Sequence, residues 1–262
     1  MLHDVQIAEA QTLSTPSDHL TAMEQVVRFM NEHFAAALSL DDLADVAGFS
    51  PYYFCRVFHS SIGIPPGEFL SLLRIAAAKR LLLTTTLSVT DICFSVGYCG
   101  LGSFTTRFSQ LVGVPPRLLR TLAQEAIQFT DAEPAATAHV MHGAVKGDLS
   151  GTIHGPATFN GVIFAGLFPK PIPQGHPVSC TMLTSPGPFH IPCVPTGKYF
   201  LMVAAFPRSS DPHVYLLPHD SLLVASTGPI PVREGVANEP VSLTLRPLRP
   251  TDPPIISALP FL

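Results

Sequence analysis

The sequence lacks the features that would place the protein in a membrane or in an oxidising compartment. No stretch of 18 consecutive apolar residues occurs along its 262 residues, so a membrane-spanning helix is not predicted. The first residues carry neither the cationic segment nor the apolar core of a signal peptide. The five cysteines include no C-x-x-C pair, which fits a reducing compartment. We therefore expect a cytoplasmic protein with no membrane partner.

An excess of positive charge is also missing. The net charge is −4, and residues 38–125 contain seven Lys or Arg against six Asp or Glu. Composition alone therefore predicts no strongly basic patch. Any surface that binds nucleic acid must depend on how its few cations are arranged.

Proline is scarce in only one half of the chain. Six of the 27 prolines lie before residue 131, and the other 21 lie in residues 131–262. Because proline interrupts helices, this density excludes long helices from the second half. This shift predicts a helical domain followed by a β domain. We divide the chain into a flexible arm (1–18), a helical domain (19–123), a linker (124–138) and a β domain (139–262).

The helical half contains an internal repeat. Leu38 to Pro66 resembles Leu87 to Pro116, and the segment from Pro65 to Thr86 connects the two copies. Residues that recur at a spacing of 50 are Phe54 and Phe104, Phe58 and Phe108, Gly63 and Gly113, Pro65 and Pro115, and Pro66 and Pro116. A repeat this dense predicts two copies of one helix-turn-helix unit.

Each copy has the end signals of two short helices. In the first copy, Ser39 is predicted to cap a helix from Leu40 to Ala47, which Gly48 ends, and Ser50 to cap the next helix. In the second copy, the helices are predicted to open at Thr90 and Asp91 and near Leu101, with Gly97 between them.

The connecting segment is predicted to be a helix that begins at Pro66. About 18 residues at a rise of about 1.5 Å span roughly 27 Å, close to the roughly 34 Å of one DNA turn. Its packed face is predicted to comprise Phe69, Leu72, Leu73, Ala76, Ala77, Arg80 and Leu81.

Two motifs within the repeat resemble a known family. They are A-G-F-S-x-x-Y-F-x-R-x-F (Ala47 to Phe58) and G-Y-x-x-x-x-S-F-x-x-x-F, followed by G-V-P-P-x-x-x-R (Gly97 to Arg120). Residues 20–122 thereby resemble the DNA-binding domain of AraC/XylS-family transcription regulators. The resemblance implies an all-α, homeodomain-like unit of seven helices that binds double-stranded DNA, contacts RNA polymerase and often forms dimers.

The resemblance also implies which residues contact DNA. Positions that match the family's base-facing ones are Tyr52, Cys55, Arg56, Leu101, Gly102, Thr105 and Thr106. Residues available to phosphates are Ser50, Arg74, Lys79, Arg80, Arg107, Arg117 and Arg120. Thr106 stands where the family commonly has Arg, and Arg107 is expected to turn about 100° away toward phosphate.

The second half is predicted to form an antiparallel β-sandwich. Short β-type segments lie at 139–145, 151–155, 161–168, 177–183, 188–194, 198–206, 221–226 and 241–248. The run F-x-I-x-x-V-P-x-G-x-Y (Phe189 to Tyr199) resembles a hairpin of transthyretin-like, carboxypeptidase-regulatory-like sandwiches. Apolar residues from Phe164 to Phe206 exceed what one face requires, so some are candidates for a pocket or a partner surface.

No catalytic, metal or cofactor site is predicted. His139, His142, His213, His219 and Asp220 are interpreted as solvated loop residues. A redox pair of Cys180 and Cys193 remains an alternative to two free thiols.

The predicted function is transcription regulation by sequence-specific DNA binding. The β domain is expected to modulate binding through a small-molecule effector, with no pocket assigned. The first alternative is a ligand-free interaction or dimerisation module, which predicts an exposed apolar patch and no enclosed cavity. The second is an enzyme domain fused to a DNA-binding domain.

Overall fold

The computed structural model describes residues 16–126, 146–209, 215–217, 221–233 and 239–257. The predicted strand at 139–145, most of the predicted linker and arm, and the five loop residues from His139 to Asp220 named above lie outside these ranges. Residues 16–126 form the helical region, and residues 146–257 form the β-rich region.

Seven helices make up the helical region, as predicted. The first begins inside the predicted arm. Their bounds are α1 Pro16–His33, α2 Leu40–Ala47, α3 Pro51–Ile62, α4 Pro66–Thr84, α5 Val89–Ser95, α6 Leu101–Val112 and α7 Pro116–Ala126.

The caps of α2 agree with the sequence prediction, and those of α3 and α5 differ in detail. The Ser39 hydroxyl oxygen accepts from the Asp42 N–H. The Asp42 carboxylate accepts from the Ser39 hydroxyl and from the Ser39 N–H, and these two bonds hold the pKa of Asp42 below its usual value. Gly48 ends α2 at a φ of 67°. Ser50 occupies the N-cap of α3, as predicted, but its side chain makes no capping hydrogen bond. Helix α5 begins at Val89, one residue before the predicted opening at Thr90, and Ser88 caps it.

Phenylalanines at repeated positions form the centre of the helical core. Phe54 and Phe58 pack edge-to-face at 5.6 Å, and Phe104 and Phe108 pack at 5.7 Å. Phe69 of α4 lies 5.7 Å from Phe58. All five belong to one hydrophobic cluster, so the two repeat copies share a core through α4.

The predicted buried face of α4 is wrong at Arg80. Lys79 is only 2% exposed, whereas Arg80, which was predicted to pack inward, is exposed. Leu72, Ile75 and Leu82 are buried on the same side as Lys79. Both sides of α4 are therefore covered, which a single amphipathic stripe does not predict.

Eight strands follow in two sheets. Their bounds are β1 Lys146–His154, β2 Gly161–Phe168, β3 Ser179–Leu183, β4 Gly187–Pro195, β5 Gly197–Pro207, β6 Leu223–Val232, β7 Val241–Thr244 and β8 Arg246–Pro247. One sheet has the order β4-β1-β7 and the other β3-β2-β5-β6-β8. Inward side chains of both sheets, including Leu149, Ile191, Leu167 and Leu201, form one hydrophobic cluster.

Two details of the β-rich region correct the sequence prediction. Strands β1 and β7 pair in parallel, so the sheets are not wholly antiparallel. The predicted alternation of Phe189, Ile191 and Cys193 breaks at Cys193, because the β1–β4 register shifts between Gly147 and Leu149. Cys193 has a φ of 61°, and its thiol is free, as is that of Cys180.

The C-terminal segment lies between the two regions. Ile255 packs with Phe164 and Phe206 of the five-stranded sheet, whereas Ile256 belongs to the hydrophobic cluster of the helices. Part of the predicted excess of aromatic residues therefore covers the chain's own tail. The Lys79 Nζ donates to the Ser257 carbonyl at 3.0 Å.

None of the described helices combines the length and hydrophobicity needed to cross a lipid bilayer.

The burial of Lys79 predicts a specific pH dependence of stability. Desolvation lowers its pKa from 10.5 to about 7. Between these values the unfolded chain binds a proton that the folded chain does not, so the free energy of unfolding rises with pH. The contribution is at most about 1.4 kcal/mol per pH unit. The Lys79→Met variant should lack this rise of the free energy of unfolding with pH. Urea denaturation of the full chain at pH 7, 8 and 9 measures it.

The matched control is Arg80→Met, which changes the exposed neighbour and should keep the wild-type slope. Equal slopes for the wild type and Lys79→Met would contradict the burial of a neutralised amine.

Candidate DNA-binding surface

The outer face of α3 presents the first group of predicted base-facing residues. Tyr52 is 82% exposed, Arg56 is exposed and Cys55 is half-buried. The opposite face of the helix is fixed in the core by Phe54 and Phe58. The structure therefore brings Tyr52, Cys55 and Arg56 together on one helix whose orientation is set by packing.

An aromatic ring positions Arg56. Its guanidinium carbon lies 5.2 Å from the centroid of the Tyr53 ring, within the range of a cation–π contact. The Tyr53 hydroxyl lies 3.1 Å from His19 Nε2 of α1, and its ring packs against Phe49 at 5.1 Å. Tyr53 was not among the residues predicted to have a role. Its i,i+3 spacing from Arg56 on a helix was the available signal.

The outer face of α6 is less polar. Leu101, Gly102 and Thr106 are exposed, and Thr105 is half-buried. Phe104 and Phe108 hold the opposite face in the core. The predicted group is therefore brought together here too, but its side chains offer hydroxyl and methyl groups and no charge.

Two arginines predicted to contact phosphates donate hydrogen bonds to carbonyls at or near helix ends. Arg74 donates to the carbonyls of Phe34 at 2.7 Å and Ala36 at 2.8 Å, just beyond the end of α1. Arg120 donates to the carbonyls of Leu82 and Leu87, at the end of α4 and beyond it. These guanidiniums supply charged donors to carbonyls at the helix ends and in the turns that follow them. Their contacts with phosphate stay predictions.

The remaining predicted phosphate contacts divide into three kinds. Lys79 is 2% exposed and donates to the Ser257 carbonyl, so a phosphate cannot reach its amine in this structure. Arg107 is half-buried and donates to the Ser71 hydroxyl at 3.0 Å. Those that remain exposed are Ser50, Arg80 and Arg117.

The β-rich region offers two clefts that are open to solvent. One, of about 410 Å³, lies between residues 152–157 and 185–187. The other, of about 380 Å³, is lined by Val162 and residues 182–188. Within the described ranges, no group of three His, Cys, Asp or Glu side chains is placed to hold a metal ion.

Known proteins match the helical region. A helix-turn-helix domain family matches residues 43–121. The chain is 33% identical over 98 residues to the HTH-type transcriptional activator AarP of Providencia stuartii, covering 37% of this chain and 73% of AarP. It is 29% identical over 102 residues to the bifunctional transcriptional activator/DNA repair enzyme AdaA of Bacillus subtilis, covering 39% of this chain and 48% of AdaA.

A solved structure matches over a similar share of the chain. It is the DNA-binding domain of AdpA, a global transcriptional factor, in complex with a target DNA. The sequences are 27% identical, the match covers 40% of this chain and 94% of that one, and the TM-score is 0.39. More than half of this chain therefore lies outside each of these matches.

The helix-end contacts of Arg120 predict a stability effect. Arg120→Ala leaves carbonyls at the end of α4 without their charged donor, so we expect the free energy of unfolding to fall by about 1 to 3 kcal/mol. Arg117→Ala, three residues earlier on α7, should change it by less than about 0.5 kcal/mol. Chemical denaturation of both variants measures this difference, and equal losses would contradict the structural role of Arg120.

Proposed function

Because the chain belongs to the AraC/XylS family of helix-turn-helix transcription regulators, we propose that it regulates transcription by binding a specific site in double-stranded DNA. Helices α3 and α6 enter successive major grooves, and α4 spaces them. At about 1.5 Å per residue, its 19 residues span about 28 Å. The observation that carries the proposal is the placement of Arg56 on the outer face of α3, against the Tyr53 ring.

Base recognition by α3 depends mainly on Arg56. A guanidinium can donate two hydrogen bonds to the major-groove edge of guanine. Because the Arg56 guanidinium already stacks on Tyr53, its side chain loses less conformational entropy when it binds DNA. Tyr52 and Cys55 flank it and contact neighbouring bases.

Base recognition by α6 has a different chemistry. The methyl groups of Thr105 and Thr106 and the side chain of Leu101 suit contacts with thymine methyl groups. Gly102 has open space where a side chain would extend, so it permits close approach of the helix. The second half-site is therefore read more through apolar contacts than through bidentate hydrogen bonds.

Phosphate contacts fall to the cations that the fold leaves exposed. Arg80 and Arg117 lie at the surface, Arg107 is partly accessible, and Ser50 stands at the N-terminus of α3. Helix N-termini attract phosphates, so this end of α3 adds backbone donors. Arg74 and Arg120 support the surface by fixing α1 and α4.

The β-rich region is proposed to be a transthyretin-like sandwich that modulates DNA binding. Its contact with α4 through Ile256 and Ser257 supports a direct effect on the helical region. An effector would bind at one of the two open clefts. The alternative, a ligand-free interaction module, is favoured because both clefts are open to solvent and because the C-terminal segment packs against the helical region. Dimerisation and contact with RNA polymerase remain predictions from the family.

The test compares a base-reading arginine with an exposed cation. Arg56→Ala should cost about 1 to 3 kcal/mol on the preferred site and relax preference at one position, whereas Arg80→Ala should weaken all sequences alike and lower the salt slope by about 1. Fluorescence anisotropy on the preferred site and its single-base variants measures both. Equal losses on every sequence for both variants would overturn the proposal.

A further inference from the structure

One loop of the β-rich region reaches the C-terminal ends of α3 and α6. It joins β2 to β3 and spans residues 169–178. A Cβ placed on Gly63, which ends α3, would lie 3.8 Å from Pro171 Cγ. The His176 Nε2 lies 3.1 Å from the carbonyl oxygen of Gly113, which ends α6. Because Gly63 and Gly113 are equivalent in the repeat, the loop contacts both copies at the same position.

The loop is held against the helices by buried and specific contacts. Ile172 is fully buried in the hydrophobic cluster of the helices. Gly175 has a φ of +60° and donates its N–H to the Leu111 carbonyl at 2.7 Å. A Cβ at Gly175 would lie 2.8 Å from the Gln110 carbonyl oxygen, so only glycine fits this close approach. The Ser257 hydroxyl donates to the Gly175 carbonyl at 2.7 Å.

The docked loop places a lysine beside an acidic residue of α4. The Lys170 ammonium lies 3.2 Å from Glu68 Oε1. The Arg107 guanidinium approaches the same oxygen at 3.9 Å. Glu68 is 18% exposed and Arg107 is 32% exposed, so solvent screens this pair less than it would a fully exposed one. Two cations from two regions therefore share one carboxylate.

We propose that Lys170 is a positioning residue for DNA binding, which neutralises Glu68 so that the positive charge of Arg107 remains available to a DNA phosphate. The inference rests on the proposed function of α6. Without Lys170, Glu68 pairs with Arg107 alone, so its negative charge offsets the positive charge that Arg107 presents to the phosphate. The β-rich region thus supports DNA binding in cis and needs no bound effector to do so.

A double-mutant cycle on the full chain tests this. Lys170→Gln should weaken binding of the preferred duplex about two- to fivefold at about 50 mM salt, less at about 200 mM, as expected of a partly exposed ion pair. Lys170→Arg should retain wild-type affinity. In a Glu68→Gln background, Lys170→Gln should have no effect, because the charge that Lys170 neutralises is absent. Lys198→Gln, an exposed lysine of β5, removes the same net charge and serves as the control.

Each outcome decides the proposal. A loss that persists in the Glu68→Gln background means that Lys170 contacts DNA directly, and it overturns the proposed mechanism. No loss in either background, or an equal loss for Lys198→Gln, also overturns it. Failure of the wild-type chain to prefer any sequence would instead reject the proposed function. Thermal unfolding of each variant establishes that the differences do not arise from misfolding.

Discussion

Burial of α4 is the constraint on which the rest of the structure depends. Nine of its 19 residues are buried, and they are contacted by helices of both repeat copies and by the C-terminal segment. Phe69 connects it to the aromatic core of the first copy, and Lys79 connects it to Ser257. Each buried apolar side chain contributes about 1.5 to 3 kcal/mol, so this helix fixes the position of both recognition helices at once.

The same constraint explains how a chain with a net charge of −4 can present a DNA-binding surface. Arg74 and Arg120 are used to complete helix ends, and Lys79 is buried, so only part of the cation set remains for phosphates. The cations that remain are few, and neighbouring side chains hold them in defined positions. Arg56 lies over an aromatic ring, and Arg107 shares Glu68 with Lys170 of the other region.

Local signals were sufficient to predict the elements of the helical region. Ser39 and Gly48 delimit α2, and the phenylalanines at a spacing of 50 predicted the buried faces of α3 and α6 correctly, because caps and periodicity act over a few residues. The exposed outer face of α3 also followed from the inward pattern of Phe54 and Phe58. For the second half of the chain, the sequence predicted that strands form but not how they pair.

Partners distant in sequence were not predictable in the same way. Whether Lys79 or Arg80 faces inward depends on a tail about 180 residues later. The carbonyls that bind Arg120 lie more than 30 residues away, and only the packed fold brings them within reach. The parallel pairing of β1 with β7 likewise depends on where a distant segment enters the sheet. The alternation of apolar and polar residues within a strand does not identify the strand that pairs with it.

The most direct test of the central claim is a selection of binding sites from a random double-stranded DNA library with the full chain. Two recognition helices joined by α4 predict a motif of two blocks whose centres lie about one helical turn, or 10 to 10.5 base pairs, apart. The block with the stronger guanine preference should correspond to α3, through Arg56. A single block, or no enriched sequence, would contradict the account of two helices that read successive grooves.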